Sequence, residues 1–288
     1  MVDGTGAAFV WYELMTTNMA AARAFYADVV GWSAEDASTS GLAYTLLATA
    51  GTAISGLMTL PEEAPKMGAT PRWMAYVGVA NIEAAVDRIE RLGGAVYVPP
   101  TDSNIGRIAV VADPQAATFG LVEGLKLGPR RPGGIYEPGH VGWHELFAAD
   151  RDRAFTFYRA LFGWRKAGDD DPAETYQLFT VGGETVGGMF TKPAMVPAPF
   201  WLCYFNVVDL DAALQRVSAG GGRIFEGPVD LPGGDWIARG VDPQGAVFAL
   251  RGRRTSEAIA RDPALEIGWS STWGGISSRG RLRIGKPR

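Results

Sequence analysis

The chain has 288 residues, with 27 Lys+Arg against 31 Asp+Glu, a formal net charge of −4, and 47% hydrophobic against 20% charged residues. That balance excludes a disordered or fibrous protein, and an acidic chain without a long basic run offers nucleic acid no attraction. A single cysteine, Cys203, excludes an internal disulfide framework and a thiolate metal cluster, so a reducing cytoplasm is the expected setting. No apolar run approaches the roughly 20 residues of a membrane span, and the N-terminal MVDGTGAAFVWYEL lacks the basic and apolar regions of a signal peptide. No membrane partner is expected.

In chain order, the pattern predicts a strand over Phe9–Met15 and a helix capped by Asn18 and stopped by Gly31. On that helix Phe25/Val29 and Tyr26/Val30 stack at i,i+4. Two short strands follow, YTLLAT and TAISGLM, turning at Ala50-Gly51. A strand over Trp73–Val79 leads to an Asn81 cap and a helix with Ile82, Ala85, Val86 and Ile89 on one stripe, ended by Gly93-Gly94. Strands near 95–98, 107–112 and 117–123 complete the unit.

The chain then repeats itself. WYELMTTNMAAARAFYADVVGW (11–32) returns as WHELFAADRDRAFTFYRALFGW (143–164), an offset of 132 that also carries Tyr44 onto Tyr176. RWMAYVGVANIEAAVDRIERLGGAV (72–96) returns as FWLCYFNVVDLDAALQRVSAGGGRI (200–224), and DPQAATF (113–119) as DPQGAVF (242–248). Each unit of roughly 120 residues has a typical domain size. The plan is βαβββ four times over, an α+β chain of mainly antiparallel sheets. It divides into a first domain (1–123), a Gly/Pro-rich linker (124–139), a second domain (140–252) and a basic tail (253–288) expected to be disordered.

These motifs, W-x-E-L, FY-x4-GW, a strand-helix-GG segment and D-P-x-x-x-x-F, in order and twice over, resemble the vicinal oxygen chelate superfamily. That group includes glyoxalase I, bleomycin-resistance proteins and extradiol dioxygenases; the tandem form looks closest to the actinobacterial hydroxylase- or antigen-like type. The resemblance implies two glyoxalase/bleomycin-resistance-like domains, each pairing two modules into a cup. Four modules on one chain also replace the dimer of two-module relatives, so a monomer is expected, with a homodimer as the alternative.

Metal-dependent members bind a divalent ion through His, Gln or Glu at fixed strand positions. Carried over one by one, those positions fall on Trp11 and Trp143, Met74 and Leu202, Gly120 and Ala249, and near Gly56–Met58 and Gly188–Phe190. None is a good hard or borderline ligand, so no metal and no other cofactor is expected. His144 alternates to the face opposite Trp143 and Glu145, and its counterpart is Tyr12, which suggests a surface or interface position. His140 sits in the linker, and a His140–His144–Glu145 metal cluster would need an irregular strand. Cys203 matches Ala75 on the outer face, and Asp113-Pro114 and Asp242-Pro243 read as turn formers, with Ala116 where the family has Gly.

Glu13 and Glu145, carboxylates in apolar strands at equivalent places, are the candidate catalytic residues; the alternative is that each braces the sheet through an Arg or backbone N–H groups. The candidate ligand-binding residues are Trp11, Tyr44, Met58, Met74 and Tyr76 in the first copy, and Trp143, Tyr176, Met189, Leu202 and Tyr204 in the second. The resemblance thus implies binding of a small organic molecule in metal-free cups, for sequestration or detoxification. The alternative is a lyase, hydroxylase or dioxygenase using Glu13/Glu145 or a divalent metal.

Overall fold

The structure, a computed structural model, describes residues 7–61, 63, 68–127, 134, 136–168, 175–231 and 233–255. The disorder expected of the tail concerns residues that lie, beyond Thr255, outside this set, as does much of the linker.

Four βαβββ modules follow one another. The first is β1 (Phe9–Thr16), α1 (Met19–Val30), β2 (Ser33–Asp36), β3 (Tyr44–Thr49) and β4 (Thr52–Thr59). The second is β5 (Arg72–Gly78), α2 (Ile82–Arg91), β6 (Ala95–Asp102), β7 (Arg107–Ala112) and β8 (Thr118–Glu123). The second copy repeats these as β9 (Val141–Ala148), α3 (Arg151–Phe162), β10 (Arg165–Ala167), β11 (Tyr176–Val181) and β12 (Glu184–Thr191), then β13 (Phe200–Asp209), α4 (Leu210–Ala219), β14 (Arg223–Asp230), β15 (Trp236–Val241) and β16 (Val247–Arg253).

Each pair of modules makes one eight-stranded sheet, ordered β2-β3-β4-β1-β5-β8-β7-β6 in the first copy and β10-β11-β12-β9-β13-β16-β15-β14 in the second. The central joint, β1 with β5, is antiparallel, while β1 with β4 and β5 with β8 are parallel. The expected elements are present, with two differences. The short strands β2 and β10 supply the third strand that the βαβββ plan requires but to which the pattern assigns no residues: Ser33–Asp36 is exposed throughout, so no alternation marks it. Strand β6 also runs on through Pro99 and Pro100, which an edge strand tolerates because the missing N–H groups face no neighbour.

The helices begin where short polar side chains accept the first free N–H: Asn18 from Ala21, Asn81 from Ala84, Asp150 from Arg153 and Asp209 from Ala212. Their apolar sides do not close the domains separately. Phe25, Tyr26 and Val29 of α1, Val86 of α2, Tyr158 of α3 and Val217 of α4 all belong to one core shared by both sheets. Within it α1 lies against α4 and α2 against α3, each helix meeting one from the other copy.

Polar contacts across this core come in equivalent pairs. The Tyr26 hydroxyl donates to Asp242 Oδ2 (3.1 Å) and the Tyr158 hydroxyl to Asp113 Oδ2 (3.2 Å). The Trp32 indole donates to the Gly139 carbonyl and the Trp164 indole to that of Ala7, both at 2.7 Å. The other oxygen of each aspartate does form the turn read from sequence, accepting from Gln115 and Ala117 N–H or from Gln244 and Ala246 N–H. The turn survives Ala116 because that alanine takes a left-handed φ of 71°, near the 94° of Gly245. At the centre, the equivalent residues Tyr12 and His144 meet: the Tyr12 hydroxyl lies 2.6 Å from His144 Nε2, while His144 Nδ1 lies 3.0 Å from the Val186 carbonyl. Because a carbonyl only accepts, Nδ1 carries the ring proton and Nε2 accepts from Tyr12. The imidazole stacks on Phe9, with ring centroids 4.1 Å apart.

Burial pushes the His144 pKa down to about 4, outweighing the raising effect of the Val186 bond. The folded pKa lies below the ordinary unfolded value near 6.5, so the neutral ring contributes stability that is lost as pH falls through this window. Unfolding free energy should therefore drop by about 3 kcal/mol more between pH 6.5 and 4 in the parent than in His144→Gln, measured by urea denaturation across pH.

Candidate functional site

The face of each sheet turned away from the shared core carries a second, separate apolar cluster, at the place where the resemblance puts the two cups. Alternation along β1 and β5 sends Trp11, Met15, Met74 and Tyr76 to this face, while Tyr12, Leu14, Trp73 and Ala75 go to the shared core. Tyr44 and Leu46 of β3 and Val122 of β8 join the first cup, which Leu60, Ile105, Leu125 and Leu127 cover. The second cup holds Phe147, Tyr176, Phe190, Leu202, Tyr204, Ile237 and Ala249, with Trp143 and Phe200 packed against them.

Of the ten residues expected to line the cups, nine are placed there. Met189 is the correction. It is buried in the shared core, and Phe190 stands at the cup position. The register explains it: Tyr44 pairs with Met58 and Tyr176 with Phe190, so Met189 is one residue out of phase and points the other way. Cys203 also lies in the shared core, where burial raises its pKa to about 12. The conceivable His140–His144–Glu145 cluster is not assembled, because His144 faces Tyr12 across the core and Glu145 faces the cup.

At the centre of the first cup Glu13 is almost fully buried. The Tyr44 hydroxyl donates to its Oε1 and the Tyr76 hydroxyl to its Oε2, both at 2.6 Å, and the Trp11 indole donates to Tyr44 Oη at 3.2 Å. Backbone packing permits the reach. Tyr44 lies flat across Gly56, the β4 residue beside Glu13, and a Cβ there would collide with the phenol oxygen. Burial pushes the Glu13 carboxyl above its usual range, against the lowering effect of Tyr44, Tyr76 and Trp11. Both phenols are pushed up as well, first by burial and then by the charge of Glu13, so they stay protonated donors.

The second cup repeats this triad and adds a cation. Glu145 is fully buried and accepts from the Tyr176 hydroxyl (2.9 Å) and the Tyr204 hydroxyl (2.6 Å), with the Trp143 indole on Tyr176 at 2.9 Å. Arg239 then inserts between them. Its Nη2 lies 2.7 Å from Glu145 Oε2, its Nε donates to Tyr204 at 2.6 Å, and its Nη1 lies 2.5 Å from Glu226. Burial alone would depress the Arg239 pKa, but Glu145, Tyr204 and Glu226 together hold it above its ordinary value. In the first copy Arg239 corresponds, aligned on the D-P turns, to Val110, and Glu226 to Val98, the residue that pairs with Val110 in register. The bracing role weighed for these glutamates thus describes Glu145 through Arg239, whereas Glu13 meets phenols only. Arg239 and Glu226 were missed by the sequence reading; an arginine in WIARGV where the first copy has valine was the available signal.

The residues at the metal-ligand positions do not fit a divalent ion. Trp11 and Trp143 present N–H donors already bonded to tyrosines, Gly120 and Ala249 have no donor atom, and Met74 and Leu202 offer a thioether and a hydrocarbon. Among the described residues no group of three His, Cys, Asp or Glu could hold a metal.

The profile of the Glyoxalase/Bleomycin resistance protein/Dioxygenase superfamily matches residues 8–120 and 138–250. The chain belongs to this superfamily, with two of its domains in tandem. It is 32% identical over 245 residues to "Putative glyoxylase CFP32" of Mycobacterium tuberculosis, covering 83% of this chain and 92% of that one. It is 31% identical over 274 residues to the anthracycline biosynthesis protein DauV of a Streptomyces species, covering 88% and 96%. Among solved structures it resembles the Mn(II)-bound glyoxalase of Novosphingobium aromaticivorans (TM-score 0.57, 17% identity, 86% of this chain and 82% of that one). It also resembles an extradiol ring-cleaving dioxygenase of B. fuscum (TM-score 0.60, 16% identity, 86% and 73%). At such identities the likeness to the solved structures concerns the fold alone. Among the described residues no helix is long and apolar enough to cross a membrane.

The packing of Tyr44 over Gly56 generates a prediction. Gly56→Ala should displace the phenol, cost about 1–3 kcal/mol of stability, and raise the Glu13 pKa further by removing a hydrogen bond that lowers it. Urea denaturation and carboxyl-selective infrared titration, with Glu13→Gln as reference, read the two effects.

Proposed function

We propose that this superfamily member is a metal-free binding protein that holds a small organic molecule in its cup for sequestration or detoxification. The observation that carries this reading is the Tyr44–Glu13–Tyr76 cluster, a satisfied polar floor set among Trp11, Met58 and Met74 where a metal-dependent member would place its ligands. An apolar, aromatic lining with few polar groups is how proteins hold small organic ligands. Trp143, Tyr176, Leu202 and Tyr204 form the matching wall of the second cup. The relatives named for glyoxylase and for anthracycline biosynthesis support a small-molecule role, the latter suiting an aromatic ligand.

A second reading rests on one observation, the raised pKa of Glu13. A carboxyl whose pKa is raised by burial is a candidate general acid or base, which makes Glu13 the catalytic candidate of an enzyme, with Glu145 its counterpart in the sequence repeat.

The two readings separate in one set of experiments. Phenylnaphthylamine, an uncharged aromatic probe, should bind saturably by fluorescence, and Met58→Trp, which fills the cup from its half-buried wall, should weaken binding about tenfold or more. Glu13→Gln should leave this binding within a few-fold. Absence of saturable binding contradicts the proposal. Turnover of a 2-oxoaldehyde–glutathione hemithioacetal that disappears in Glu13→Gln would replace it with the enzyme reading.

A further inference from the structure

The two cups, equal in sequence plan, differ in how their polar groups are satisfied. In the second cup every charge has an internal partner: Arg239, only 3% exposed, joins Glu145 and Glu226, and its guanidinium occupies the space between Tyr204 and the β14 wall. No such group fills the first cup, where Val110 and Val98 occupy those positions. The first cup has a cation of its own on another wall. Arg72 opens β5 on the same face as Met74 and Tyr76, pairs in register with Met15 of the cup, and acts electrostatically on the Tyr76 phenol.

Arg72 differs from Arg239 in having no anionic partner among the described residues. Its Nε is buried without a hydrogen-bond partner, and among the described residues it meets no carboxylate. A second buried donor, Nδ2 of Asn104, also lacks a partner; it lies on the β6–β7 connection, beside the cup residue Ile105. The second cup contains no unpartnered buried side-chain donor among the described residues. An unmade hydrogen bond to a buried donor is costly, so two on one cup are a standing demand for an acceptor that none of the described residues supplies.

We propose that the first cup alone is the ligand site, and that it takes a small apolar or aromatic molecule carrying an anionic group, bound by the Arg72 guanidinium, with the apolar body among Trp11, Met74 and Tyr76. This rests on the binding reading above and assigns its ligand chemistry and its cup. Among the described residues Glu13 meets the Tyr44 and Tyr76 hydroxyls and makes no salt bridge with Arg72. The second cup, closed by Arg239, is the scaffold half of the pair.

The test compares two probes of one shape. Anilinonaphthalenesulfonate and phenylnaphthylamine share an aromatic body and differ by the sulfonate. The parent should bind one anilinonaphthalenesulfonate per chain, more tightly than the uncharged probe. Arg72→Met should weaken the sulfonate about tenfold or more and leave phenylnaphthylamine within a few-fold, which also reports that the variant is folded. Arg72→Lys should fall between the two, keeping the charge but not the planar donor pair. Two equivalent sulfonate sites, or equal loss of both probes in Arg72→Met, overturns the assignment of cup and chemistry while the binding reading stands. Failure of both probes to bind the parent overturns the binding reading and this inference with it.

Discussion

A carboxyl group taken out of water must find partners or a proton, and this chain buries one at the centre of each sheet. Much of the cup architecture answers that demand. Tyr44 and Tyr76 donate to the two oxygens of Glu13, Trp11 orients Tyr44, and Gly56 is bare so that the phenol can cross the strand. The second copy meets the same demand with Tyr176, Tyr204 and Trp143, and then adds Arg239. The W-x-E pattern and the tyrosine that follows it at a fixed distance are therefore one hydrogen-bonded unit, spread over β1 and β3 in one copy and β9 and β11 in the other.

The back of each sheet solves a different problem. Neither domain covers its own helices, so the copies share one core, sealed by polar pairs that run between equivalent motifs: the tyrosine of FY in one copy donates to the D-P aspartate of the other. Tyr12 and His144, one residue from the cup floor on either side, close the centre of this contact. Cups and shared core therefore meet on the same two strands, with alternate side chains serving each. A substitution that shifts β1 or β9 disturbs both.

Much of this could be read from the chain. The duplication, the βαβββ plan, the opposite facing of Glu145 and His144, and the turn role of the D-P pairs follow from repeat offsets and strand alternation. Met189 shows the limit of that reading: a methionine resembled Met58 in type but stood one position out of register, and only the pairing of Tyr176 with Phe190 reveals it. The short strands β2 and β10 carried no pattern because they are exposed edges. Arg239, Glu226 and the tyrosine–aspartate bonds join residues far apart in sequence, and local periodicity says nothing of such meetings. Aligned residue by residue, the copies do carry traces of the divergence between the cups: Val110 against Arg239, and Arg72 against Phe200.

The central claim is that the positions of the superfamily's metal ligands carry Trp11, Met74 and Gly120, with a Glu–tyrosine cluster among them in place of a metal site. Metal content per chain, measured on protein purified without a His-tag and soaked with Ni, Zn, Mn and Fe(II), tests it most directly. The account predicts far less than one equivalent of any ion, unchanged by Glu13→Gln or Glu145→Gln. Close to one equivalent, lost on replacing either glutamate, would contradict it and return the cup to metal chemistry.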